Sequence, residues 1–215
     1  MHLLRTRFKK EIVCEFLPPA KPAKPSNKVI ILCGGMPSYP GKKEVPELLA
    51  KQGYWVFMPR YRGSWESDGK FLRLSPTQDV LDIIDQLPRG FKDLWSKKVH
   101  KIKRPEIYLI GSSFGGASVL LASRDARVKK AVALSPVTDW RAGSKLESIN
   151  KLGIFAKEAF GNAYRVSDSD WKKLKQGKFY NPMHEADSID GGKLLIIHAK
   201  DDEIVYAKNS VKFAA

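Results

Sequence analysis

Gly111-Ser112-Ser113-Phe114-Gly115 spells G-x-S-x-G, a pattern whose meaning depends on its surroundings. An apolar run, Glu106-Ile107-Tyr108-Leu109-Ile110, stands directly before it, and a small-residue helical stretch, Ala117 to Ser123, follows. A serine on a tight strand-to-helix turn is pushed out where its hydroxyl can attack. Glycines on either side remove side chains that would collide in that turn. Only Ser113 has glycines two residues away in both directions, which selects it over Ser112 as the candidate nucleophile. The N-terminus of the following helix points backbone N–H groups at the same spot, which suits a developing oxyanion.

A serine hydroxyl at neutral pH needs a base, usually His, and an acid to orient that base. The last apolar run, Lys193-Leu194-Leu195-Ile196-Ile197-His198, leads into Ala199-Lys200-Asp201-Asp202-Glu203. Three carboxylates thus follow a strand end, where catalytic groups gather in open α/β sheets. Asp201 and Asp202 are both acid candidates on this reading.

The elements that must position these groups alternate. Residues 5–16 predict a strand or hairpin arm, and Pro18 to Pro25 a stiff polyproline-like connector. Val29-Ile30-Ile31-Leu32-Cys33 is a short apolar strand ending in Gly34-Gly35. A helix is expected over Glu44 to Gln52 with Gly53 as its stop, then a strand over Tyr54 to Met58. Ser75-Pro76-Thr77-Gln78 has the spacing of a capping box with proline at the first helical position. Val80, Leu81, Ile83, Ile84 and Leu87 give that helix its apolar stripe. Lys130 to Leu134 is a further strand. Residues 139–180 carry helical stretches without strand signals, anchored by Trp140, Phe155, Phe160, Trp171 and Tyr180. Strand–helix alternation of this kind predicts a mostly parallel α/β sheet with helices on both faces and a small helical insertion at 139–180.

The 215 residues allow one domain with a proper core. No apolar run approaches the ~18 residues of a membrane span, and the charged N-terminus lacks a signal-peptide core. Two cysteines, Cys14 and Cys33, lie in apolar strand-like runs and read as core thiols, which fits a cytoplasmic location. No Cys/His spacing suggests a metal, and no organic cofactor is implied. The net charge of +15, from 38 Lys+Arg against 23 Asp+Glu, is the unusual number. Its basic residues are spread along the chain except for Lys97-Lys98-Val99-His100-Lys101-Ile102-Lys103-Arg104, which reads as a solvated connection. No nucleic-acid-binding motif accompanies them and no apolar run spans a membrane, so neither nucleic acid nor a membrane is the expected partner.

These residues together resemble an α/β-hydrolase, most closely the catalytic domain of prolyl-oligopeptidase-type serine hydrolases and their small esterase relatives, from about residue 28 onward. In that family a late motif reads roughly H-G-x-x-D-x-x-V-P. His198, Asp202 and Val205 match it, with Ala199 and Tyr206 replacing the glycine and the proline. The resemblance therefore implies Asp202, not Asp201, as the triad acid. Cys33-Gly34-Gly35 corresponds to the family's H-G-G segment, which implies the Gly35 N–H as one oxyanion donor and the Phe114 N–H as the other. Arg62-Gly63-Ser64-Trp65-Glu66-Ser67-Asp68-Gly69 is similar to the family's R-G-x-G-x-S-x-G loop, with Trp65 in place of a glycine. The run from Phe160 to Pro182 resembles the family's passage from cap to strand.

One departure stands out. The family order is Ser, acid, His, yet His2, His100, His184 and His198 all precede Asp202. The expectation is that residues 1–215 form a single α/β-hydrolase domain truncated at its C-terminus, lacking the catalytic His. The implied activity is hydrolysis of an ester, amide or short peptide bond in a small substrate through a Ser113 acyl-enzyme. An acyltransferase would use the same parts. The alternative of another class is a non-catalytic α/β-hydrolase scaffold that binds a small ligand or a protein partner.

Overall fold

The computed structural model describes residues 2–20, 26–41, 43–142 and 149–215. Lys21–Pro25 of the proline-rich connector and residues 143–148 of the 139–180 stretch lie outside the described residues.

Residues 5–16 resolve into a hairpin, β1 (Leu4–Phe8) and β2 (Ile12–Leu17). Lys9 and Lys10 turn the chain in the left-handed region, at φ 49 and 63°. β3 (Lys28–Cys33), α1 (Glu44–Lys51), β4 (Trp55–Pro59) and α2 (Pro76–Gln86) follow. Gly53, at φ +91°, ends α1 as the sequence indicates. Ser75 caps α2 by accepting from the Thr77 N–H at 3.3 Å. The expected capping box does not close: the Gln78 amide reaches forward to Asp82 at 3.1 Å instead.

A short hairpin, β5 (Phe91–Lys92) and β6 (Val99–His100), precedes β7 (Glu106–Ser112). The basic run Lys97–Arg104, expected to be a plain connection, contributes the second arm of this hairpin. Two-residue strands leave no periodicity to read, and the turn is built by a side chain, since Asp93 accepts from the Ser96 N–H at 2.9 Å. Then come α3 (Phe114–Ala122), β8 (Val128–Leu134), α4 (Ile149–Phe160), α5 (Asp168–Lys175), β9 (Leu194–Ile197) and α6 (Ala207–Ala214).

Seven strands form one sheet in the order β1-β2-β4-β3-β7-β8-β9. The β1–β2 and β2–β4 pairs are antiparallel, and the remainder of the sheet is parallel. The two-residue period of a strand sorts its side chains between two layers. Val29, Ile31 and Cys33 pack with Val80 and Ile83 of α2 and Val119 of α3. Leu32 faces the other way, with Leu49 and Ala50 of α1. Helices thus lie on both faces, as expected. α1 covers only part of its face, however: Leu134, Leu195 and Ile197 on the β8–β9 side remain exposed. Both cysteines are free and buried. Burial pushes the Cys33 thiol up to about 12 and the Cys14 thiol higher still, so neither is a thiolate at neutral pH.

A second cluster joins α3 to the 139–180 stretch through Phe71, Phe114, Trp140, Tyr164, Leu174 and Tyr180. No helix among the described residues is long and apolar enough to cross a membrane.

Candidate active site

β7 delivers the chain to Ser113 at the C-terminal edge of the sheet. Ser113 sits at φ 50°, ψ −116°, a backbone conformation costly for any residue with a Cβ. Its own backbone is held on both sides. Its N–H donates to the Leu134 carbonyl at 3.0 Å, and its carbonyl accepts from Gly116 at 3.0 Å and Val137 at 3.1 Å.

The flanking glycines serve close approach, not unusual φ. A methyl on Gly115 would lie 2.1 Å from the Cys33 carbonyl oxygen, and one on Gly111 2.4 Å from the Gly115 oxygen. Glycine at these positions lets the head of α3 press against the loop after β3. That contact puts Gly35 beside the serine: a methyl on Gly35 would lie 3.6 Å from the Ser113 Cβ. The Phe114 N–H is the first of α3, and such groups have no intrahelical acceptor. The Gly35 N–H enters no loop hydrogen bond to another backbone group among the described residues.

Three hydroxyls brace these two segments, and the sequence did not single any of them out for that role. Tyr61 donates to the Gly34 carbonyl at 3.1 Å, and Ser38 to the Gly35 carbonyl at 2.8 Å. Tyr180 donates to the Phe114 carbonyl at 2.6 Å and meets the Ser118 hydroxyl at 2.5 Å. Burial pushes both phenols well above their ordinary range, which keeps them protonated as donors. A buried tyrosine among apolar neighbours, with its O–H in need of a partner, is the signal that could have found them.

Ser113 opens into a small cleft of about 70 Å³ between Met36, Phe114, Val137, Trp140, Ile149 and Leu152. On the Gly35 side lies a larger cavity of about 460 Å³, walled in part by Tyr39, Trp65, Tyr164 and Arg60. The Arg62–Gly69 loop shapes that side. Arg62 is bound by Glu11 at 2.5 Å and Asp82 at 2.6 Å, and by Asp79. Gly63 is required at φ +72°, where a methyl would lie 1.9 Å from the Phe71 nitrogen. Trp65 sits at φ 47°, a conformation that favours glycine. It is held there by its indole N–H, which donates to Ser38 at 3.1 Å, and by ring contacts with Tyr39, Phe160 and Tyr164.

The loop after β9 borders the same cleft through Ile204 and Val205. The Asp202 carboxylate accepts from the Val205 N–H at 2.8 Å and the Ile204 N–H at 3.0 Å. Burial opposes its ionisation. The Val205 N–H, the Ser135 hydroxyl, the Ile204 N–H and the nearby His198 outweigh that, and hold the carboxyl below its usual range. Asp201, one residue earlier, is exposed.

No histidine joins Ser113 among the described residues. His198 is occupied on both nitrogens, by Ser210 at 2.8 Å and the Val205 carbonyl at 2.5 Å, and lies 3.4 Å from Asp202. It therefore braces the acid loop. His100 packs among Phe16, Trp55 and Phe91. His2 and His184 are exposed. Ser113, Phe114 and Ile204–Val205 of the Asp202 loop thus line one cleft, Gly35 lies beside Ser113 and lines the larger cavity, and among the described residues no imidazole lines the cleft. Among the described residues no group of His, Cys, Asp and Glu could hold a metal ion.

A mostly parallel sheet with a serine elbow at its C-terminal edge defines the α/β-hydrolase fold. Two structures of Pyrococcus horikoshii acylaminoacyl peptidase share it. They superpose with TM-scores of 0.67 (orthorhombic crystal form) and 0.65 (uncomplexed), each at 22% identity over 99% of this chain and 34% of theirs. An acylaminoacyl peptidase in complex with Z-Gly-Gly-Phe-chloromethyl ketone gives 0.66 at the same identity and coverage. The chain thus spans about a third of the length of these structures. Residues 41–215 match the model of the prolyl oligopeptidase family, and the chain belongs to that family.

Proposed function

We propose that residues 1–215 form a single α/β-hydrolase domain that carries out acyl transfer to water through Ser113. In this reading the Ser113 hydroxyl oxygen attacks a carbonyl carbon while an imidazole takes its proton. The negative charge gathers on the former carbonyl oxygen, facing the Gly35 and Phe114 N–H groups. The tetrahedral centre collapses, the leaving group departs with the proton from the imidazolium, and the acyl-enzyme forms. Water then attacks through the same base and frees Ser113. Asp202 orients the imidazole, which comes from outside the four histidines of this chain.

The observation that carries this reading is the strained Ser113, clamped between Gly35 and the head of α3. The apolar cleft fits a small aliphatic or aromatic side chain of the acyl part, and the larger cavity fits the remainder of a short peptide, amide or ester. Residues 139–180 contribute Trp140, Ile149 and Leu152 to the cleft wall. Family membership favours a peptide among these substrate classes.

A fluorophosphonate probe tests the assignment on the chain itself. Labelling at Ser113 is expected to be slow, to accelerate when imidazole is added, and to vanish in Ser113→Ala. Imidazole-dependent labelling at another residue overturns the assignment. No labelling at all favours a non-catalytic scaffold, a reading that the absence of an imidazole at Ser113 also fits.

A further inference from the structure

The β5–β6 hairpin packs at the β1 edge of the sheet, four strands across from β7, the strand that leads into Ser113. It enters β7 at Glu106, seven residues and roughly 20 Å of strand before the serine elbow. Its inner side is fixed. Phe91 is buried against Phe8, Phe16, Trp55 and Phe57, and Leu94 donates its N–H to Arg5 at 2.7 Å. Asp93 is fully buried and closes the turn through the Trp95 and Ser96 N–H groups.

The outer side has a different composition. Trp95 through Val99 are exposed in succession, with Trp95 and Val99 each 68% exposed. Lys92 lies opposite Val99 in the ladder. Lys97 and Lys98 stand between these two apolar groups in the chain, and Lys101, Lys103 and Arg104 follow in the exit to β7; with Lys92, all are exposed. Lys97 reaches the Leu94 carbonyl at 2.7 Å. Among the described residues no ion pair or hydrogen bond engages the side-chain cations of Lys92, Lys98, Lys101, Lys103 or Arg104; Ser96 and Asn27 bond only the Lys98 N–H and the Arg104 carbonyl. Asp93, the one acid within 91–104, points its carboxylate inward. A tryptophan and a valine at the tip of a rigid hairpin, flanked in the chain by unneutralised cations, are an apolar point within an electropositive segment.

We propose that this hairpin docks the domain on an anionic lipid surface, with Trp95 and Val99 entering the headgroup layer and the cations meeting lipid phosphates and carboxylates. Tryptophan is suited to that depth because its ring is apolar and its N–H is polar. Each cation near such a surface contributes on the order of 1 kcal/mol. The shape argues against single-stranded nucleic acid, whose sites are grooves with successive stacking platforms. This hairpin projects outward and offers one aromatic ring and one branched aliphatic. The absence of a membrane-spanning run, from which no membrane partner was expected, bears on spanning and not on surface docking.

Co-sedimentation of the 215-residue chain with vesicles tests the proposal. Vesicles of phosphatidylcholine with 30% phosphatidylserine are expected to capture the chain at 0.1 M KCl and release it at 0.5 M, whereas pure phosphatidylcholine captures little. Replacing Lys92, Lys98 and Lys101 together with Gln should lower partitioning about 100-fold, and Trp95→Ala about ten-fold. Brominated lipid in the anionic vesicles should quench tryptophan emission in the unaltered chain and not in Trp95→Phe. These side chains are exposed, so urea midpoints of the variants should match the unaltered chain and exclude misfolding as the cause. Failure to bind anionic vesicles, equal binding to neutral ones, or undiminished binding by the hairpin variants overturns the proposal. So does tighter capture of a thirty-residue oligothymidine through the same lysines.

Discussion

Replacing Ser113 with glycine, and separately with alanine, separates the strain of the turn from the chemistry of the hydroxyl. At φ 50°, ψ −116° a residue with a Cβ bears about 1–3 kcal/mol of strain. Alanine keeps the Cβ and therefore the strain. It loses only a hydroxyl that no side-chain hydrogen bond engages among the described residues, so Ser113→Ala should stay within about 0.5 kcal/mol of the unaltered chain. Glycine relieves the strain and gives back about 0.5–1 kcal/mol through the greater freedom of its unfolded chain. The net expectation is that Ser113→Gly is about 1 kcal/mol more stable than Ser113→Ala, or about 2–4 °C in melting temperature for a chain of this size. Urea unfolding followed by circular dichroism measures the difference, and equal m-values confirm that the folded and unfolded states remain comparable. Neither variant should label with a fluorophosphonate. A Ser113→Gly no more stable than Ser113→Ala would refute the claim that the turn stores strain.

Three further outcomes follow from the same geometry. Gly115→Ala drives a methyl to 2.1 Å from the Cys33 carbonyl, so backbone must move; a loss of about 2–3 kcal/mol in urea unfolding is expected, together with loss of Ser113 labelling, and a neutral effect would show that the loop after β3 yields freely. With imidazole supplied, Asp202→Asn should slow labelling far more than Asp201→Asn, by up to ~10⁴ where orientation of the base is fully lost; the reverse order would reassign the acid. Glu15, Asp93, Asp139, Asp170 and Asp202 are all held below their ordinary range. A depressed folded value means that the unfolded chain binds more protons in acid, so stability is held above about pH 4 and falls as pH drops further; urea midpoints measured from pH 6 to pH 2.5 should show this, and a flat profile would contradict it.

Much of the candidate site's backbone frame is legible in the sequence because its demands are local. A nucleophile elbow needs a strand, a serine between glycines and a helix in immediate succession, and all of these are adjacent from Glu106 to Ser123. The order of strands and helices is equally local, since each element carries its own period. What was not legible depends on partners distant in sequence. Gln78 leaves the capping box because Asp82, held by Arg62, offers a competing acceptor. The β5–β6 hairpin exists because Phe91 finds rings from β1, β2 and β4, and no two-residue strand announces that. Tyr61 and Tyr180 brace Gly34 and Phe114 across 27 and 66 residues of sequence.

The oxyanion segments set two physical demands against each other. A backbone N–H meant for a substrate must be left without an acceptor, and an unpaired N–H away from water is costly. Here the carbonyls of the same residues or their neighbours are engaged: Gly34 and Gly35 by Tyr61 and Ser38, Phe114 by Tyr180. A peptide is planar, so Tyr61 on the Gly34 carbonyl sets the direction of the Gly35 N–H, and the Gly116 and Val137 N–H groups on the Ser113 carbonyl set that of the Phe114 N–H, without occupying either donor. Close approach does the rest, because Gly115 brings the head of α3 against Cys33 and Gly34, and no residue with a Cβ could follow it there. In the proposed mechanism Tyr61 thus aims the Gly35 N–H without touching a substrate, so Tyr61→Phe should slow fluorophosphonate acylation of Ser113 with little effect on what binds, and an unchanged labelling rate would contradict this.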